Sequence, residues 1–112
     1  MKTTKLIPTL CVLVLLAHSF YAATFTFTGN VNDLWEDPIN WSPGYPGMFI
    51  TEGDQVVIHA DCTIDGHQIV NHGGILISGA AKLNLYNGAL IENYNTLEVQ
   101  GSLQLSSAGA VG

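Results

Sequence analysis

From Gln55 onward the hydrophobic positions of this chain alternate with polar ones and show no helical period. Aliphatic pairs recur with one residue between them: Val56 and Ile58, Ile75 and Ile77, Leu83 and Leu85, Leu97 and Val99, Leu103 and Leu105. That is the two-residue repeat of a strand with one face buried. Turn-prone residues punctuate the pairs at Asp65-Gly66, Asn71 to Gly74, Ser78-Gly79, Asn87-Gly88, Asn93 to Asn95 and Gln100-Gly101. Gly, Asn and Asp tolerate the backbone angles that reverse a chain. The pattern predicts many short strands and an all-β fold.

Two architectures suit short strands at regular intervals: an antiparallel β-sandwich and a parallel β-solenoid. A sequence beat favours the solenoid. Asn95-Thr96-Leu97-Glu98-Val99 is followed by Gly101-Ser102-Leu103-Gln104-Leu105, with Ala81-Lys82-Leu83-Asn84-Leu85 as a looser copy. Leu83 to Leu103 is 20 residues, as is Ile77 to Leu97. A repeat of that length suits one coil with three short faces, its aliphatics stacking into interior columns. The expectation is a short right-handed parallel β-helix of about four coils.

The front of the chain differs. Ala23-Thr24-Phe25-Thr26-Phe27-Thr28 alternates cleanly and predicts a strand with both Phe side chains buried. Trp35 to Pro46 holds both tryptophans and three of the four prolines, and reads as an irregular, aromatic-filled cap on the first coil. The predicted organisation is therefore a signal peptide over 1–22, a strand and Trp/Pro-rich cap over 23–54, and solenoid coils over 55–112. Ser106 to Gly112 is small and uncharged and offers no second cap, so the reading there is truncation of a longer chain or an end that meets a partner, including end-to-end self-association.

Met1 to about Tyr21 has the layout of a secretory signal: Lys2 and Lys5, then the apolar run Leu6 to Ala17, then small residues. Cleavage falls between residues 19 and 23, with Ala17-His18-Ser19 meeting the small-x-small rule. The apolar run is well short of the ~20 residues that span a bilayer, so the mature chain is expected to have no membrane span and to be secreted or at the cell surface. Removing Lys2 and Lys5 leaves Lys82 against nine acidic residues, moving the formal charge from −6 to −8, and the chain has no arginine. A nucleic-acid binder needs Lys and Arg to neutralise phosphate, so that class is excluded. Cys62 is then the lone cysteine of the mature chain, which rules out an intramolecular disulfide.

The order of these residues carries a resemblance. Trp35, Asp37, Pro38, Trp41, Pro46, Gly53, Asp54, Val56, Ile58, Ile64 and Asp65, followed by Gly74 and Gly88, resemble the G-eight domain, a module named for its eight glycines. They are equally similar to related N-terminal modules of secreted bacterial β-solenoid surface proteins. The match covers about Leu34 to Leu105. It implies an extracellular β-rich module, often joined to parallel β-helices, in proteins some of which act on or bind glycans. The chain departs from the pattern in its long Pro46 to Gly53 link and its irregular glycine-led strands.

Candidate chemistry is sparse. A pectin-cleaving lyase needs a basic residue over a carboxylate cluster, and Lys82 has no acidic neighbour in sequence. Asp54, Asp61 and Asp65 offer carboxylates for hydrolysis, but the plainer reading of Asp54 and Asp65 is that they fix turns through nearby backbone amides. His59, Cys62, His67 and His72 match no standard zinc spacing, and Cys62 alternates with Ile64 as an inward-facing small hydrophobe. Asn30, Asn32, Asp33 and Asp37 could offer oxygens to calcium, but lack the glycine and terminal glutamate of a calcium loop. No metal and no cofactor is assigned.

Trp35, Trp41 and Tyr45, with Tyr86 and Tyr94 farther on, are the candidate sugar-stacking residues; the competing reading is that both tryptophans plug the end of the core. Asn40-Trp41-Ser42 is a formal glycosylation sequon followed by Pro43. The expectation from sequence is thus a secreted, non-catalytic β-solenoid module with a structural or adhesive role, its partners an extracellular polysaccharide or a surface protein. The rival expectation is the leading piece of a polysaccharide-active lyase or hydrolase of the β-helix class.

Overall fold

The computed structural model describes residues 22–112; the predicted signal peptide lies outside them but for Ala22. Twelve short strands wind as a β-solenoid. After β1 (Thr24–Phe27), β2 (Trp41–Ser42) and β3 (Phe49–Ile50) come three regular coils of three strands each. These are β4 (Gln55–Ile58), β5 (Cys62–Asp65) and β6 (Gln68–Asn71); β7 (Gly74–Ile77), β8 (Lys82–Tyr86) and β9 (Leu90–Asn93); and β10 (Thr96–Val99), β11 (Ser102–Leu105) and β12 (Ala110–Val111). Three sheets result, in the orders β10-β7-β4-β1-β2, β11-β8-β5 and β12-β9-β6-β3. All pairings are parallel except the antiparallel β1–β2 pair. The sandwich alternative is thereby set aside. Among the described residues no helix is long and apolar enough to cross a membrane.

The aliphatic pairs read from the sequence become the interior columns. On the first sheet Phe25, Val56, Ile75 and Leu97 are level, as are Phe27, Ile58, Ile77 and Val99. On the second, Cys62, Leu83 and Leu103 form one column and Ile64, Leu85 and Leu105 the next. Ile69, Ile91 and Val111 line the third. Columns work because the side-chain period of a strand is two, so inward positions of stacked coils must coincide. Phe27 is fully buried, whereas Phe25 is only partly covered. The last coil continues the columns, yet Val99 is 44% and Leu105 51% exposed.

The 20-residue repeat is right in one column and wrong in another. Leu103 does pair with Leu83. Leu97, however, pairs with Ile75, and Val99 takes the place opposite Ile77. Strand lengths are nearly constant; the corners are not. Four residues, Ser78 to Ala81, join β7 to β8, whereas Gln100 and Gly101 alone join β10 to β11. A slip of two residues preserves which side chains face inward, so the pattern alone could not reveal it.

The segment before Gln55 is a coil of its own, enlarged by an insertion. It gives β1 to the first sheet, a single bridge from Leu34 to Thr63 on the second, and β3 to the third. The insertion is organised by Asn40, a fully buried polar side chain. Its Oδ1 accepts from the amides of Val31 (2.9 Å) and Asn32 (3.1 Å), while its Nδ2 donates to Asn32 Oδ1 (2.7 Å) and the Leu34 carbonyl (2.9 Å). Every hydrogen-bonding position of the amide is used, which offsets its burial. Asp37 caps the short 3-10 turn Pro38–Asn40 by accepting from the Ile39 amide.

Several corners depend on glycine for closeness of approach, Gly101 and Gly73 most tightly. A Cβ on Gly101 would overlap the carbonyl oxygens of Ala81 and Ser78 in the preceding coil, and one on Gly73 would overlap that of Asp54. Neither glycine has a positive φ, so these corners need the missing side chain and not left-handed backbone.

Candidate functional site

The structure brings Trp35, Trp41 and Tyr45 together but turns the tryptophans inward. Trp35 is 0% and Trp41 5% exposed. Trp41 packs edge-on against Phe27 (5.2 Å between ring centroids), Trp35 (4.8 Å) and Tyr45 (6.4 Å). Both indole N–H groups are satisfied by backbone, Trp35 donating to the Gly47 carbonyl (3.0 Å) and Trp41 to that of Trp35 (2.7 Å). Stacking on a sugar requires an open ring face, and these two residues present none; they plug the core. Tyr45 sits at the edge of the cluster. Burial, and secondarily the negative charge of Glu36, hold its phenol above the ordinary tyrosine range.

The polar candidates are spent on architecture. Asp54 Oδ1 accepts from the Ala23 amide (3.1 Å), Asp61 Oδ1 from the Lys82 amide (3.0 Å), and Asp65 Oδ1 from Asn87 Nδ2 (2.9 Å). Each bond ties one coil to the next, so Asp54 and Asp65 do not fix their own turns as the sequence suggested. Asp33 accepts from the Thr63 hydroxyl, and Asn32 and Asp37 bond to each other within the cap. Asn40, the sequon asparagine, has no exposed surface and no free amide hydrogen, so in the folded chain it is not a glycan acceptor.

Among the described residues no three His, Cys, Asp or Glu side chains converge as metal ligands. His59 and His67 lie exposed on separate corners. Cys62 is buried, and burial, with the charges of Asp33 and Glu36 adding to it, pushes its thiol pKa far up.

The surface feature that remains is on the outside of the third sheet. Phe49, His72 and Tyr94, from three successive coils, stack into one column. The Phe49 and His72 rings are 5.1 Å apart at 30°, and those of His72 and Tyr94 4.6 Å apart and almost parallel at 3°. This pitch matches the spacing of neighbouring strands, about 4.7–4.9 Å, so the column runs along the solenoid axis. Phe49 is 56% and Tyr94 62% exposed, large apolar rings held at the surface. Tyr94 Oη donates to Glu92 Oε2 (2.7 Å), and Gln68 Nε2 to Glu92 Oε1. That hydrogen bond, and then the charge of Glu92, raise the Tyr94 phenol pKa above its usual range.

Asparagines hold the column from within. Asn71 and Asn93 pair in register, and Asn71 Nδ2 donates to Asn93 Oδ1 (2.8 Å) and to the Thr96 carbonyl (2.9 Å). The ring after each asparagine is thereby fixed at the same corner of its coil. Of the three, only Tyr94 is among the residues picked out for stacking from sequence. The signal that finds His72 is the repeated pair Asn71-His72 and Asn93-Tyr94; Phe49 reaches the column diagonally, from the position level with Val70, and leaves no such trace. No protein-family model, curated protein or solved structure matches the chain.

Proposed function

We propose that this chain is a secreted, non-catalytic β-solenoid module with a structural or adhesive role that binds extracellular polysaccharide. The observation that carries the reading is the Phe49–His72–Tyr94 column, with Glu92 and Gln68 beside it. Sugar recognition combines an aromatic surface for C–H faces with side-chain donors and acceptors for hydroxyls, and this strip has both. A rigid parallel coil underneath holds the groups at fixed separation, which lowers the entropy lost on binding. Commitment of Asp54, Asp61 and Asp65 to inter-coil hydrogen bonds supports a scaffold over a hydrolase. The resemblance to G-eight-like modules and the secretory leader point the same way.

The test is a glycan array probed with the mature chain, with and without calcium, beside its Tyr94→Ala variant. Binding of one polysaccharide class by the wild type and its loss in the variant is the expected result. A well-folded wild-type sample that binds no glycan would sink the reading.

A further inference from the structure

The bend between β8 and β9 carries a reactive pair that neither the core nor the aromatic column uses. Of the chain's asparagines only Asn87 is followed by glycine. That context favours loss of the side-chain amide, because Gly88 has no side chain to screen its backbone nitrogen from the Asn87 Cγ. Both residues are exposed, with a coil stacked on either side. Yet both reacting groups are held. Asn87 Nδ2 donates to Asp65 Oδ1 (2.9 Å) in the coil before, and the Gly88 amide donates to the Ser107 carbonyl (2.9 Å) in the coil after. Asn87 and Gly88 have φ of 55° and 74°, and the Ala89 amide closes the bend on the Tyr86 carbonyl (3.2 Å). The grip on Gly88 comes from a strained corner: Ser107 and Ala108 have φ of 50° and 67°, left-handed backbone that residues with a Cβ avoid.

We propose that Asn87 is a site of spontaneous deamidation gated by this corner. While the coils are stacked, the nucleophile is tied to one neighbour and the leaving group to the other; when the corner opens, the pair reacts. The Gly88 nitrogen attacks Asn87 Cγ, a nitrogen–carbon bond forms, and the bond from Cγ to Nδ2 breaks. Nδ2 leaves as ammonia, the Gly88 proton reaching it through water, and a five-membered imide remains. Water then adds to either imide carbonyl and leaves aspartate or isoaspartate. Neither product rebuilds the corner. Aspartate has no N–H to donate and sets a second carboxylate against that of Asp65, one coil away. Isoaspartate adds a backbone atom to a bend closed between Tyr86 and Ala89. The change is therefore one-way, and it weakens the tie between the first two regular coils.

The experiment incubates the mature chain at mildly alkaline pH, folded and in guanidinium chloride, and follows each asparagine by peptide mass mapping. The unfolded chain should convert at Asn87 ahead of every other asparagine, and the folded chain should convert there about tenfold more slowly or less. Ala108→Gly relaxes the strained corner, so it should slow the folded-state reaction several-fold further and leave the rate in guanidinium chloride unchanged. Asn87→Asp should melt below wild type, and adding Asp65→Asn should restore a freshly purified sample, because donor and acceptor are then exchanged. Equal rates in the folded and unfolded chain, or an Ala108→Gly chain that converts as fast as wild type when folded, would show that the corner is no gate. Earlier conversion of another asparagine in the unfolded chain would remove Asn87 as the site, and wild-type melting of Asn87→Asp would show that the change is not one-way.

Discussion

The indole nitrogen of Trp41 donates a 2.7 Å hydrogen bond to the backbone carbonyl of Trp35, inside the core. One tryptophan thus packs edge-on against the other and also closes its peptide group, so the two form a unit. Trp41→Ala is expected to destabilise the chain by about 3–5 kcal/mol, through the cavity and the orphaned carbonyl together. Trp41→Phe keeps part of the packing and should cost less. Denaturant unfolding followed by circular dichroism measures both, and near wild-type stability of the alanine variant would show that the cluster does not anchor the fold.

Asn40→Ala removes four hydrogen bonds and leaves the amides of Val31 and Asn32 without that acceptor. A loss of about 1–3 kcal/mol is expected. Amide exchange should rise at Val31 and Asn32 before it rises in the coils. Protection that stays at the wild-type level would mean the insertion is held by something other than this side chain.

Gly101→Ala forces a Cβ into the Ala81 and Ser78 carbonyls and should lower the melting temperature clearly. Gly79→Ala, where a Cβ meets nothing within 4 Å and the backbone is ordinary, serves as its control and should change stability by no more than about 0.5 kcal/mol. Equal melting of the two variants would show that the corner relaxes freely.

The Cys62 thiol, buried and shifted upward by that burial and then by the charges of Asp33 and Glu36, stays protonated through the physiological range. It should be inert to a thiol-reactive dye in the native state and titrate fully once the chain is unfolded. Rapid native labelling would show that the second sheet opens on that timescale.

Tyr94 is held neutral by its bond to Glu92, so its folded-state pKa lies above that of free tyrosine. With the sign taken from this direction, the link is intact below the ordinary tyrosine range and is lost as the pH rises through the raised value. An alkaline ultraviolet titration should therefore show two phenols ionising late, those of Tyr45 and Tyr94, and Glu92→Gln should bring the second of them earlier. A Glu92→Gln profile identical to wild type would show that Glu92 does not hold the Tyr94 phenol up.

The interior was legible because it obeys parity. Val56 with Ile58 and Leu83 with Leu85 announce inward positions whatever the length of the corners, and Cys62 could be placed inside by its alternation with Ile64. Register was less legible, since the four-residue Ser78 to Ala81 corner shifts Leu97 to Ile75 without altering any pattern. The tryptophans illustrate a different limit. An indole serves a sugar surface and a core equally well by composition, and only the contacts of Trp35 and Trp41 separate the two uses. The surface column was nearly invisible because it depends on which residues of three coils come level, and Phe49 joins it across a diagonal.

The four-residue corner has a wider consequence. Successive coils are offset by 19 to 22 residues at their strand starts, yet the inward columns stay continuous. Length is therefore free to drift at the bends while the straight segments keep their phase, much as a spiral staircase tolerates landings of different depth. Insertions and deletions are therefore best accommodated at open bends such as Gly79, not at corners as tight as Gly101, and every added rung would offer another place for a side chain outside, in line with those already there.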